Sequence, residues 1–233
     1  MKILAIDSSG LVASAAIIED ETMVAEYTIN HKKTHSQTLL PMIDEIVKIT
    51  DTNLEDIDAI AVAGGPGSFT GLRIGSATAK GLGLALNKPL ISVPTVDGLA
   101  YNLYGTDKVI CPIMDAKRNQ VYTGLYEFKD DVFHIIEEQM AVSIEEIIGK
   151  LNKIGRPVIF AGDGIPVYAQ TIKDTLTVAY SFAPAHLNKQ RAASIGTLAK
   201  QYLIEGKTEP AEEHKPDYLR LSQAERERLE REA

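Results

Sequence analysis

An apolar run that closes on an aspartate occurs once in each half of the chain. Ile3 to Ile6 ends in Asp7, and Val109 to Met114 ends in Asp115. A second strand-like run begins soon after each aspartate, at Val12 and at Gln120. Later in each half an apolar strand meets glycines: Ile57 to Ala63 runs into Gly64–Gly71, and Pro157 to Ala161 runs into Gly162-Asp163-Gly164. Repetition of order as well as composition is the mark of an internal repeat. The connecting segments agree. Thr34-His35-Ser36-Gln37 and Ser143-Ile144-Glu145-Glu146 are capping-box patterns, each opening an apolar-periodic stretch. Pro41, inside the first stretch, is expected to kink that helix or delay its start. A helix to Leu86 and a strand over Leu90–Val93 follow the first glycine loop, and a helix from Arg191 to Leu203 is expected to close the second lobe. Each half therefore reads as strands, helix, strand, helix, strand, helix, which makes the chain an α/β duplication. The expected divisions are a lobe over residues 1–105, a second over 106–205, and a charged tail over 206–233. In that tail Ser222-Gln223-Ala224-Glu225 suits either the cap of a last helix or a solvated end.

With 233 residues, 45% of them hydrophobic, the chain is long enough for one large domain or two small lobes. The formal net charge of -8 lacks the basic field that dominates binding to a phosphate backbone, so contact with RNA would need a partner or a local patch. Cys111 is the only cysteine, and Asp7 interrupts the first apolar run before it reaches signal-peptide length. No stretch approaches the roughly 20 apolar residues of a membrane span. These features lead to the expectation of a cytoplasmic protein.

The Gly64–Gly71 segment is a tight turn between strand and helix, suited either to an anion at the helix start or to a plain turn. It lacks the Lys-Ser or Lys-Thr of a Walker loop, and Thr70 stands where a dinucleotide fingerprint needs its third glycine. Arg73 in the first helical turn is a candidate anion contact. Asp7-Ser8-Ser9-Gly10 has the composition of a phosphate hairpin and equally of an ordinary turn. The candidate phosphate or nucleotide contacts are Asp7, Ser8, Ser9, Gly65, Gly67, Asp115, Gly162 and Gly164. In the turn after Asp115, Lys117 and Arg118 are either solvated or available to a phosphate or a partner carboxylate. His31 and His35 are four apart, but the expected cap at Thr34 leaves His31 outside the helix, which argues against a metal pair. The other histidines, His134, His186 and His214, are scattered, and no Gly-x-Ser-x-Gly elbow occurs.

Four stretches together resemble the TsaB (YeaZ) family: Ile3–Ser9, His35–Pro41, Gly65–Gly75, and Asp115–Arg118 with Val121-Tyr122. Tyr218-Leu219-Arg220 and Gln223-Ala224-Glu225 also fit it. The resemblance implies an actin-like (ASKHA) two-lobed fold with a reduced second lobe. It implies a role in forming threonylcarbamoyladenosine beside the tRNA anticodon, alongside a paralogous TsaD-like catalytic subunit and a TsaE-like ATPase. Where TsaD places a metal-binding His pair, this chain aligns Thr95 and Leu99. Leucine has no donor atom and a neutral threonine hydroxyl is a poor ligand for iron or zinc. The implied reading is a non-catalytic scaffold without metal or cofactor, with nucleotide and tRNA bound only through the complex. The competing reading is an actin-fold ATPase or a metallopeptidase-like enzyme active alone.

Small residues recur every fourth position after the glycine loop, at Gly71, Gly75, Ala79 and Gly83. Glycine inside a helix costs about 1 kcal/mol relative to alanine, so close approach of another helix is expected to offset it. With His35 and Leu39 of the preceding helix, this stripe is the expected partner surface; the alternative is that it packs within the lobe, against the helix from Thr34 to Ile49. The stripe Ile74, Ala77, Gly81 and Leu84 is expected to face the sheet. The family leads to a homodimer in isolation, exchanged for a heterodimer with the TsaD-like subunit.

Overall fold

The structure, a computed structural model, describes residues 1–31 and 34–220. The Ser222–Glu225 cap and the Gln223-Ala224-Glu225 match lie outside the described residues.

The first sheet holds β1 (Lys2–Asp7), β2 (Ala13–Glu19), β3 (Thr22–Ile29), β4 (Ala59–Gly65) and β5 (Leu90–Pro94), in the order β3-β2-β1-β4-β5. The second holds β6 (Val109–Asp115), β7 (Gln120–Lys129), β8 (Val132–Ser143), β9 (Val158–Ala161) and β10 (Tyr180–Phe182), in the order β8-β7-β6-β9-β10. The orders superpose strand for strand. Both sheets pair their first two strands antiparallel and their first and fourth parallel. This is the duplicated actin-like fold. The strands β9 and β10 are shorter than their counterparts β4 and β5.

β1 and β4 are buried on both faces because helices cover both. On one side Leu4, Ile6 and Val62 meet Leu39, Ile43 and Ile46 of α1 (His35–Ile49) and Ala79 of α2 (Phe69–Leu86). On the other, Ile3, Ala5, Ala59 and Ala61 meet Ala192, Ile195, Leu198 and Ala199 of α6 (Ala192–Ile204). The period of two along each strand sends alternate side chains to each layer, and the alanine-rich side leaves room for close approach by α6. The placement expected for this last helix is therefore corrected: α6 lies on the first sheet, not over the second lobe. The reciprocal crossing is made by α3 (Thr95–Tyr101), whose Val96, Leu99 and Ala100 pack with Ile110, Met114, Tyr126 and Ala161 of the second lobe. Thus α3 and α6 form an apolar join behind the two sheets. The outer face of the second sheet is covered by α4 (Ile144–Ile154) and α5 (Ile165–Thr175), through Ile147, Leu151, Tyr168 and Ile172.

The local signals had different fates. Ser143 caps α4 as its pattern predicts, accepting from Glu146 N at 3.1 Å. Thr34 is the residue before α1, but its side chain makes no cap bond; only its carbonyl accepts from Gln37 N. Pro41 does not delay the start of α1, which begins at His35.

The charged tail is not simply solvated as far as Arg220. Leu90 and Glu209 exchange backbone hydrogen bonds of 2.9 Å in both directions. Ala211 is buried in the first core, and buried His214 sits with Nδ1 2.7 Å from Glu209 Oε1. Few apolar residues mark this stretch; its anchors are single small or polar residues that fit existing gaps.

Candidate functional site

Asp7, the Gly65–Gly67 loop, Asp115 and Gly162–Gly164 all stand at or just beyond the carboxyl ends of β1, β4, β6 and β9, the two sets facing each other across the lobes as the walls of a candidate cleft. The first wall is a closed knot of hydrogen bonds. Ser9 gives both its backbone N–H (2.9 Å) and its hydroxyl (2.6 Å) to Asp7 Oδ1. Ser8 Oγ donates to Gly71 O at 2.8 Å, and Ser9 O accepts from Ser68 N at 2.7 Å. Asp7, Ser8 and Ser9 are 1%, 2% and 0% exposed. Burial pushes the Asp7 carboxyl up to about 6, opposed by the two bonds from Ser9 and by the charge of His35.

The α2 N-terminus is met from within. Ser68 Oγ accepts from Gly71 N at 3.4 Å, and the neighbouring Ser68 N–H is spent on Ser9 O. One donor of this turn thus meets a carbonyl of the chain itself. Arg73 is exposed in the first part of α2. Its guanidinium lies 4.7 Å from the centre of the Phe69 ring, and its Nε donates to Tyr218 Oη at 3.3 Å.

Across the cleft, Asp115 Oδ2 is 2.5 Å from Lys117 Nζ, and its Oδ1 accepts from Lys117 N at 2.9 Å. Partial burial works to raise the Asp115 pKa, but the bonds from Lys117 outweigh it and hold the carboxyl below the usual range. Lys117, Arg118 and Asn119 all have positive φ, so the turn curls back and places Lys117 on the aspartate. Asp163 Oδ1 accepts from Asp115 N at 3.1 Å, and its own pKa is raised by burial. Gly162 and Gly164 lie against the Ile113 carbonyl, where a Cβ would stand 2.2 and 2.8 Å from it.

Gln190 is a residue the sequence reading missed. It is 1% exposed, its amide lies flat on Gly10, and its Nε2 has no hydrogen-bond partner. A glycine closing the Asp7 turn was the one signal that something must press on it. Asp97 was missed too. This buried carboxylate accepts from Tyr126 Oη at 2.7 Å, and burial first, then Glu138, pushes it up to about 6 against bonds from Tyr126 and Tyr202.

The expected partner stripe is internal. A Cβ on Gly71 would lie 2.1 Å from Ser8 O, one on Gly75 2.5 Å from Ser8 Oγ, and one on Gly83 2.8 Å from Ala211 Cβ. Ala79 and Leu39 are buried in the first core. His35 is half-buried with Nε2 2.8 Å from Gly10 O. The glycines thus offset their helical cost chiefly against the β1–β2 turn, the sheet and the tail, with His35 of α1 also 3.5 Å from a Cβ on Gly71. Of the stripe expected to face the sheet, only Ile74 packs against the first core; the rest points outward. Ala77 and Gly81 are exposed, Leu84 is 58% exposed, and Leu40 on α1 is 55% exposed.

Thr95 and Leu99 stand in the join between lobes, 0% and 1% exposed, with Leu99 built into an apolar core. His31 is exposed while His35 is engaged with Gly10. No helix among the described residues is long and apolar enough to cross a membrane.

Comparison with known proteins places this geometry. A family model described as TsaD, tRNA N6-adenosine threonylcarbamoyltransferase, matches residues 22–228. The tRNA threonylcarbamoyladenosine biosynthesis protein TsaB of Bacillus subtilis is 36% identical, over 97% of this chain and 96% of its own length. Its namesake from Escherichia coli is 31% identical, over 94% of this chain and 95% of its own. Among solved structures, YeaZ from Pseudomonas aeruginosa superposes with a TM-score of 0.80 at 25% identity, covering 94% of this chain and 99% of that one. The chain belongs to the TsaB (YeaZ) family, whose members are named for tRNA threonylcarbamoyladenosine biosynthesis, and it carries the TsaD-type domain of that pathway.

Proposed function

We propose that the chain is an accessory subunit that does no chemistry itself. It docks on a TsaD-like catalytic subunit that transfers threonylcarbamoyl to adenosine in tRNA, in a complex served by a TsaE-like ATPase. In isolation it pairs with a second copy of itself. Any nucleotide or tRNA is bound only through the complex, and the setting is the cytoplasm.

The self-satisfied cleft carries this reading. A catalytic phosphate turn presents free N–H donors and a solvent-reachable carboxylate for the metal of a nucleotide. Here Asp7 holds Ser9, Ser8 holds Gly71, and Ser9 O holds Ser68. Asp115 is occupied by Lys117. At the positions aligned with the paralogue's metal ligands, Thr95 offers one neutral hydroxyl and Leu99 offers none. This donor set does not fit iron or zinc. The exposed apolar residues of α1 and α2, Leu40, Ala77 and Leu84, supply the docking face.

The test has two parts. The purified chain, given ATP and magnesium, is expected to release no phosphate above the blank. Tagged at its native level, it is expected to co-purify with a TsaD-like protein identified by mass spectrometry. Steady ATP turnover by the isolated chain would overturn the reading in favour of an actin-fold ATPase.

A further inference from the structure

We propose that Asp217–Arg220 is a latch that holds the two lobes closed over the Asp7 turn. The inference goes beyond the scaffold reading and does not depend on it.

The segment is fastened to both walls of the cleft. On the first lobe, Asp217 N donates to Gly64 O at 2.7 Å. Tyr218 stacks on Phe69, with ring centroids 4.0 Å apart and planes 11° from parallel, while its hydroxyl accepts from Arg73 Nε at 3.3 Å. Gly65 has φ +131°, and a Cβ there would stand 2.1 Å from Asp217 O. The loop therefore admits the segment only because this residue has no side chain. On the second lobe, Gln139 Nε2 donates to Asp217 Oδ2 at 2.7 Å, and Arg220 Nη1 donates to Ala116 O at 2.5 Å. An extended chain spans roughly 3.5 Å per residue, so this short run ties the end of β4 to the end of β6 with little slack.

The two sides of the molecule are closed by different forces. Behind the sheets, α3 and α6 join the lobes through buried apolar residues such as Leu99, Ala100 and Ile195. At the mouth, the latch uses a few polar bonds and one aromatic stack. Its residues Asp217 and Tyr218 remain exposed. Water competes for such polar contacts but not for the apolar join, so the lobes hinge at the back and part at the front. The latch grips the glycine loop and first turn of α2 that bury Asp7, Ser8 and Ser9.

The experiment uses the full-length chain with spin labels on Glu45→Cys and Val167→Cys, exposed positions on α1 and α5. Cys111 stays unlabelled because it is buried and burial pushes its thiol up to about 12. The latched chain is expected to give one narrow distance. Tyr218→Ala with Arg220→Ala is expected to lengthen it by several ångströms and broaden it, and to raise amide exchange at least tenfold at residues 64–71 and 115–119. Exchange in α3 and α6 is expected to stay unchanged. An unchanged distance in the folded double variant would overturn the proposal, as would faster exchange confined to residues 64–71. Should the double variant unfold, Gln139→Ala with Arg220→Gln decides. It removes both second-lobe anchors, and it is expected to broaden the distance with the Tyr218 stack retained. An unchanged distance in that variant also overturns the latch.

Discussion

Ser8 and Gly71 are locked together from both sides: the serine hydroxyl donates to the glycine carbonyl at 2.8 Å, and a Cβ on the glycine would stand 2.1 Å from the serine carbonyl. The phosphate-type turn and the first turn of α2 thus form one rigid unit. Gly71→Ala is expected to lower unfolding stability by about 1–3 kcal/mol, because a backbone oxygen must move to admit the methyl. Gly75→Leu, which drives a long side chain into Ser8 Oγ and Val62, is expected to cost more. Urea unfolding followed by circular dichroism measures both. Wild-type stability in either variant would mean that this stripe is not internal.

Most of the plan was legible in the sequence, for identifiable reasons. The duplication showed because Asp7 and Asp115 end equivalent strands, and the capping box at Ser143 marked the start of α4. What failed was the assignment of faces. A stripe of Gly71, Gly75, Ala79 and Gly83 states that something comes close, not what. A turn, a sheet and a tail residue supply that closeness as well as a second helix does. Which sheet α6 covers depends on the chain crossing between lobes, and local periodicity carries no trace of it. Gln190 and Arg220 reach the site through single contacts made far along the chain, and one residue has no pattern.

The outer face of α1 and α2 makes a separate prediction. Leu40→Asp with Leu84→Asp changes two exposed side chains, so stability is expected to move by less than about 0.5 kcal/mol for each. Pairing, with a second copy or with the TsaD-like subunit, is expected to weaken at least tenfold. Light scattering and calorimetry read the two pairings. Unchanged pairing in both would move the interface off this face.

The buried Asp97 predicts a pH dependence. Its pKa rises from an ordinary 3.8 to about 6 on folding, mainly through burial. The folded state then binds the proton more tightly than the unfolded one. The associated stability is fully present below about pH 3.8 and is lost as pH rises through about 6. Asp97→Asn keeps an acceptor for Tyr126 Oη and removes the titration. It is expected to flatten this part of the stability curve and to gain on the order of 1–3 kcal/mol at pH 7 relative to the parent. Denaturant midpoints measured between pH 4 and pH 7 check the slope, and an equally steep fall in the variant would assign it to other groups.

The central claim is that this cleft does no chemistry while the pathway still needs the chain. It is tested most directly by transfer of threonylcarbamoyl from supplied threonylcarbamoyl-adenylate to tRNA, with release of AMP, reconstituted from a TsaD-like subunit, a TsaE-like ATPase and this chain carrying Asp115→Ala. Asp115 is the carboxylate that an active cleft of this fold would need, and here it is tied to Lys117. The account predicts that transfer depends on adding the chain and that Asp115→Ala supports it at the wild-type rate. Loss of transfer with a folded, partner-bound Asp115→Ala chain would contradict it.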